Sequence, residues 1–184
     1  SKYIVDGFTY YIDETGSLFC GCLDQSNMVG GTGNRENNHA GRLSIIKNFG
    51  SKAVLDYGCG RGDFVDFLNS QGISADGYDP YSDKYSSFPK KKYDAITMIE
   101  VIEHTCYPYK ELDEIKSLLN PDGILFIETS FSNWVTLGHP YLNPHIGHST
   151  IFSHNGLNIL MRSKGFNVGQ HINQNIRIFT QSAS

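Results

Sequence analysis

Val54-Leu55-Asp56-Tyr57-Gly58-Cys59-Gly60-Arg61-Gly62 is the stretch on which the fold turns. Ala53 to Asp56 reads as a short buried strand, and Asp63 to Ser70 as a helix with Phe64, Phe67 and Leu68 at helical spacing. Between them the glycines permit positive φ and let backbone approach a ligand with no Cβ in the way. The helix starts at about Gly62, so its free N–H groups face the same crevice, the edge at which open α/β sheets bind ligands. A dinucleotide fingerprint G-x-G-x-x-G would use Gly58 and Gly60 but put Asp63 at its third glycine, where a carboxylate repels a pyrophosphate. Asp56, two residues before the first glycine, suits instead a zwitterionic amino-acid moiety whose ammonium it accepts from, directly or through water. A tight turn that binds nothing is the bland alternative.

Working outward, His39 to Phe49 reads as a helix stopped by Gly50. Downstream, strands at Ile73–Tyr78, Ala95–Ile99 and Ile124–Ile127 alternate with a helix over Tyr109–Leu119, which Asn120-Pro121-Asp122-Gly123 closes. A helix over Asn155–Ser163 is followed by an antiparallel pair, Phe166–His171 and Asn175–Thr180. Strands separated by helices imply parallel crossovers and a three-layer α/β sandwich with a mostly parallel sheet and an antiparallel last strand. Residues 1–38 form an irregular N-terminal segment with a hairpin, Phe8–Ile12 and Ser17–Cys20, and Tyr3, Tyr10 and Tyr11 as lid candidates. Residues 39–184 form the ligand-binding domain. Asp79 ends the second strand about twenty residues after the glycines, where an acid grips two vicinal ribose hydroxyls. A turn cap before Pro80 is its structural alternative.

The 184 residues suffice for one domain with a real core, and no apolar run is long enough to span a bilayer. No secretory signal is visible. Cys20, Cys22, Cys59 and Cys106 form no CxxC pair and read as reduced thiols in a cytoplasmic protein. A net charge of −4 argues against nucleic acid as partner, and Lys90-Lys91-Lys92 is the only basic run.

Together these residues resemble the class I S-adenosylmethionine (SAM)-dependent methyltransferases. Val54–Gly62 resembles the family's first motif and Gly77-Tyr78-Asp79-Pro80 its ribose-binding acid. Tyr93 to His104 resembles the fourth-strand motif, and Leu118 to Gly123 the turn before the fifth strand. The resemblance covers residues 39–180 and implies a Rossmann-like fold with SAM as cofactor. It carries cofactor contacts onto Asp56, Gly58, Gly60, Gly62, Asp79, Pro80 and Glu100. Arg42, in the helix before the first strand, is a candidate partner of the SAM carboxylate, with a surface ion pair as its alternative. One departure stands out. Pro80 to Tyr93 is too short for the family's usual helix plus third strand, so the third strand is expected to be reduced or missing. An ordered loop would then lie over the adenine, with Tyr81 and Phe88 as stacking candidates.

Glu100-Val101-Ile102-Glu103-His104 follows the fourth strand at the ligand edge, and His139 to His148 forms a loop expected to overhang it. Two chemistries fit. In one, His104, His148 or Glu103 acts on an acceptor hydroxyl, a histidine serving as general base. In the other, Glu100, Glu103, His104 and His148 chelate a divalent metal such as Mg²⁺ or Mn²⁺. Glu-x-x-Glu-His with a distal His resembles the metal site of small-RNA 3′-end 2′-O-methyltransferases; Glu-Val-Ile-Glu-His also resembles ubiquinone-biosynthesis O-methyltransferases. Loop packing or exposure is the expectation for His139, His145 and His154. The reading is O-methylation of a small-molecule or glycan-type acceptor. RNA 2′-O-methylation and a non-catalytic SAM- or S-adenosylhomocysteine-binding module are the alternatives.

Overall fold

The computed structural model describes residues 38–132, 135, 139–142 and 147–182, together with the backbone of three strands nearer the N-terminus. Those strands, β1 (Lys2–Val5), β2 (Phe8–Ile12) and β3 (Leu18–Cys20), pair antiparallel in chain order. The expected hairpin is thus extended by one strand on its N-terminal side. The side chains of Tyr3, Tyr10 and Tyr11, and residues Cys22 and His145, lie outside the described set.

After α1 (His39–Asn48), β4 (Ala53–Tyr57) lies between β5 (Ser74–Tyr78) and β6 (Tyr93–Ile99), parallel to both. The chain continues through α2 (Asp63–Ser70), between β4 and β5, and after β6 through α3 (Pro108–Leu118), β7 (Leu119–Glu128), β8 (Thr150–Ile151) and α4 (His154–Ser163). It ends with β9 (Gln170–His171) and β10 (Ile176–Thr180). The main sheet runs β5-β4-β6-β7-β10-β9; β6 and β7 are parallel, and β10 is antiparallel to both β7 and β9. β8 pairs with β3 and so joins the N-terminal sheet to the loop that carries His148.

Alternation along the central strands explains the three layers. Val54, Ala95 and Phe126 pack with Leu43, Ile46, Phe64 and Leu68 of α1 and α2. Their neighbours Leu55, Ile96, Leu125 and Ile127 pack with Leu112, Ile115, Leu157 and Leu160 of α3 and α4. Successive side chains of a strand point to opposite faces, so a strand apolar throughout buries both. Each fully buried Leu, Ile or Phe is worth roughly 1.5–3 kcal/mol.

No third strand or extra helix lies between Asp79 and Lys92, as the short segment implied, so β5 is a sheet edge. Charge blunts that edge: Asp76 accepts from Tyr93 Oη (3.0 Å) and from Lys91 Nζ (2.7 Å). Two boundaries differ from the expectation. β7 begins at Leu119, and its register with β6 slips between Tyr93 and Ala95 because Pro121-Asp122-Gly123 is accommodated as a bulge rather than a full turn. The penultimate strand shrinks to Gln170–His171, with Phe166 making only an isolated bridge to Gln181.

The cysteines require a correction. Cys59 is free, but Cys106 is disulfide-bonded, to a partner outside the described side chains. A core large enough to fold unaided removes the need for a staple without preventing one, so the inference from reduced thiols to compartment lapses. No helix among the described residues is long and apolar enough to cross a membrane.

Candidate active site

β4 delivers Asp56, only 4% exposed, to its C-terminal end, where Thr97 Oγ1 of β6 donates to Asp56 Oδ1 at 2.6 Å. The chain then turns through Gly58 (φ 80°), whose N–H donates to the Tyr78 carbonyl at 2.7 Å. A Cβ at Gly58 would lie 2.4 Å from Val101 Cγ2, so the close approach of two loops, and not φ alone, demands glycine here. Asp79 Oδ2 accepts from the Gly60 N–H and Oδ1 from the Tyr81 N–H, both at 2.9 Å. These bonds set the carboxylate across the glycine turn and leave each oxygen a further lone pair. Pro80 follows on the surface, and Asp63 is exposed at the head of α2, paired with Arg61. The field of the turn is visible at Cys59: burial first, then Asp56 and Asp79, push its thiol up to about 12.

Arg42 does not present a free fork. Its Nε and Nη2 both reach the Glu128 carboxylate at 2.8 Å, with side-chain exposures of 6% and 11%. The pair is buried, whereas the sequence suggested a cofactor contact or a surface bridge. The Glu128 carbonyl in turn accepts from the Glu100 N–H at 2.8 Å. Glu100 is the one non-glycine residue with positive φ (53°) among those described, a strained position of the kind that collects at functional sites.

The polar run after β6 is not surface. Glu103 lies in a 3₁₀ turn, Ile102–His104, and is fully buried. Thr129 Oγ1 donates to its Oε2 at 2.9 Å and Tyr141 Oη to its Oε1 at 3.0 Å. Burial pushes the Glu103 carboxyl well above its usual range, and the charge and hydrogen bond of Glu100 add to this against the pull of Thr129. The shift favours the neutral form of Glu103 beside Glu100.

The distal loop does overhang this point. Ser149 pins it, donating from N to the Glu103 carbonyl at 2.7 Å and from Oγ to the Thr105 carbonyl at 2.8 Å. His104 Nδ1 lies 3.1 Å from the Gly147 carbonyl and His148 Nδ1 2.8 Å from the Tyr141 carbonyl. A carbonyl only accepts, so both Nδ1 atoms carry hydrogen and each neutral ring keeps its lone pair on Nε2. The two ring centroids are 4.7 Å apart. Burial lowers the pKa of His148 against the bond to Tyr141, favouring its neutral form. Glu103, His104 and His148 offer ligand atoms within 4.8 Å of one another.

Of the residues singled out in the sequence, Asp56, Gly58, Gly60, Gly62 and Asp79 surround the glycine turn, while Glu100, Glu103, His104 and His148 gather beside it. Tyr81 and Phe88 are exposed, Phe88 packing edge-on to Tyr78 at 5.2 Å. His139 is exposed, and His154 belongs to α4 rather than to a loop. Nothing in the sequence marked Glu128, Thr129 or Tyr141. The first two end an apolar strand as ordinary polar residues, and Tyr141 lies among prolines and histidines with no spacing that marks it.

The methyltransferase domain family matches residues 36–171. A ubiquinone biosynthesis O-methyltransferase of Histophilus somni is 27% identical, across 50% of this chain and 52% of the relative, so this chain spans about half the length of the curated relatives it matches. Among solved structures, a SAM-dependent methyltransferase from Archaeoglobus fulgidus aligns with a TM-score of 0.60 at 22% identity, covering 79% of this chain and 74% of that one. Human N-acetylserotonin methyltransferase in complex with SAM aligns with the same TM-score at 14% identity, covering 79% of this chain and 52% of that one. Family match, strand order and glycine turn agree: this chain belongs to the methyltransferase domain family, on the Rossmann-like fold of the SAM-dependent methyltransferases.

Proposed function

We propose that this chain transfers the methyl group of SAM to a hydroxyl oxygen of a small-molecule or glycan-type acceptor. The observation that carries the acceptor side is the pair of imidazoles brought together beside the buried Glu103, each tied through Nδ1 to a backbone carbonyl. Bound SAM supplies an electrophilic methyl on a sulfonium. Asp56 and Asp79 balance the ammonium and hold the ribose hydroxyls. His148, favoured neutral by burial, takes the acceptor's proton as its oxygen bonds to the methyl carbon and the carbon–sulfur bond breaks, leaving S-adenosylhomocysteine. His104 is the second candidate for that role. The remaining acceleration comes from aligning oxygen, methyl and sulfur. The name of the ubiquinone biosynthesis O-methyltransferases among its relatives supports an oxygen acceptor, and the net charge of −4 disfavours RNA.

A divalent metal is the second reading, favoured by the convergence of Glu103, His104 and His148 within 4.8 Å. The donor set fits: backbone carbonyls on both Nδ1 atoms are the kind of partner that orients metal-bound histidines, and a dication would favour the ionised form of the buried Glu103. Such an ion would hold acceptor oxygens and lower a hydroxyl pKa.

Calorimetric titration with S-adenosylhomocysteine tests the cofactor half; no heat at hundreds of micromolar ligand would defeat it. Methyl transfer to hydroxylated acceptors, with and without EDTA, tests the rest. His148→Ala is expected to lower kcat by about 10²–10⁴ while S-adenosylhomocysteine affinity holds. Unchanged kcat would remove His148 from the reaction, and turnover indifferent to EDTA would remove the metal. Full S-adenosylhomocysteine binding with no transfer to any acceptor would favour the non-catalytic module.

A further inference from the structure

Arg177, in β10, is 5% exposed, yet no carboxylate pairs with it among the described residues. Its Nη1 donates to the backbone carbonyls of Asn173 (2.6 Å) and Ile176 (2.8 Å), and its guanidinium lies 4.8 Å over the Phe131 ring. Carbonyls and an aromatic face solvate a buried cation without neutralising it. Its Nη2 stands 2.6 Å from His154 Nδ1. The same Nη2 is 3.3 Å from Nε2, so the cation lies against both nitrogens of the imidazole. His171, exposed on β9 and in register with Arg177, places its ring centroid 6.1 Å from that of His154. His154 also opens α4, whose first turn contributes a partial positive charge and contains no acidic residue.

One permanent cation, two imidazoles and a helix N-terminus thus gather on a chain whose net charge is −4. The cluster adjoins the acceptor end of the site. Phe131, whose ring lies tilted against His154 with centroids 4.1 Å apart, is two residues past Thr129, the donor to Glu103. The Thr129 N–H donates to the Asn175 carbonyl, and Ile176 stands opposite Glu128.

We propose that His154, His171 and Arg177 form an anion subsite that receives the carboxylate or phosphate of an acidic methyl acceptor. The acceptor half rests on the methyltransferase reading above; the anion half does not. Oxygens of one anion bridge the two imidazoles while Arg177 supplies the permanent charge behind them. Burial, Arg177 and His171 all hold the His154 pKa below its usual value, and a bound anion opposes the last two of these influences.

The test is side-chain NMR of the histidines, titrated separately with inorganic phosphate and with acetate near pH 6.5, on the protein and on His171→Gln. His171 is exposed, so the variant keeps the fold, which unchanged S-adenosylhomocysteine affinity verifies. Saturable shifts at His154 and His171, weakened about tenfold in the variant, support the subsite; tenfold is 1.4 kcal/mol. Shifts that stay linear in anion, or that saturate equally in the variant, overturn it. A second arm compares acceptors that differ by one carboxylate or phosphate group. A KM raised by His171→Gln only for the acidic member supports the acceptor role. Saturable anion binding with no such difference overturns that role and leaves a free-anion site. Saturable anion binding without S-adenosylhomocysteine binding counts against the methyltransferase reading alone.

Discussion

Replacing Arg42 by Met isolates the contribution of the buried ion pair beneath the site. Arg42 and Glu128 make two parallel hydrogen bonds of 2.8 Å, and both side chains are nearly excluded from solvent. Met refills much of the volume of the arginine stem, so the main loss is that of the guanidinium, which pairs with Glu128 and also lies 5.9 Å over the Phe64 ring. Glu128, 8% exposed, then loses its cationic partner. Breaking one side of a buried pair costs about 3–5 kcal/mol. With a urea m-value of roughly 2 kcal/mol per molar, that shifts the unfolding midpoint by about 1.5–2.5 M. In a thermal scan it corresponds to a fall of roughly 6–20 °C for a chain of this size. The double variant Arg42→Met/Glu128→Leu removes the orphaned charge and is expected to be more stable than Arg42→Met by about 2 kcal/mol or more. Urea titrations of the parent, both single variants and the double, in buffer without reductant, measure all four corners. A loss below about 1 kcal/mol for Arg42→Met, or single losses that simply add in the double, would refute the argument that the pair is buried and coupled.

Other outcomes follow from the glycine turn. Gly58→Ala is expected to lose more stability and cofactor affinity than Gly60→Ala. Both glycines have positive φ, but only at Gly58 would the new Cβ meet Val101, at 2.4 Å, while nothing lies within 4 Å of Gly60. Adding Val101→Ala should recover the steric part, about 1–3 kcal/mol, of the Gly58→Ala loss, read by melting and S-adenosylhomocysteine titration; no recovery would mean that backbone strain alone is responsible. Cys59, with its thiol at about 12 against a usual 9.0, holds about 10³-fold less thiolate at pH 8 than an ordinary cysteine. Greater thiolate nucleophilicity offsets roughly twentyfold of this, so alkylation by iodoacetamide should run tens of fold slower than in the unfolded chain and accelerate with rising pH through 10; a rate equal to that of the unfolded chain would contradict the burial of this thiol beside Asp56 and Asp79.

Much of the fold was legible because its signals are local. Val54, Leu55, Ile96 and Ile127 are apolar in unbroken runs, and strands buried on both faces must be. Gly58, Gly60 and Gly62 announced the turn because only glycine adopts its backbone cheaply, and Asp79 announced its role by distance along the chain. The shortness of Pro80–Tyr93 was enough to delete a strand, since a helix and a strand need more residues than it holds. By contrast, β1 and β8 escaped notice because short strands depend on partners elsewhere in the chain. The disulfide at Cys106 escaped for the same reason, since pairing depends on proximity that spacing does not encode.

At the site, the sequence by itself determined the inventory: a glycine turn framed by carboxylates, and a Glu/His set following the fourth strand. Tertiary structure decided how that inventory is used. Arg42 pairs with Glu128, 86 residues away, and Tyr141 reaches back 38 residues to donate to Glu103. His104 and His148 become neighbours only because Ser149 fastens one loop to the other. Burial and hydrogen-bond partners set the charge state of each such group and the direction of its lone pairs. Both arise from segments distant in the chain, so residue type alone could name these groups without assigning their states.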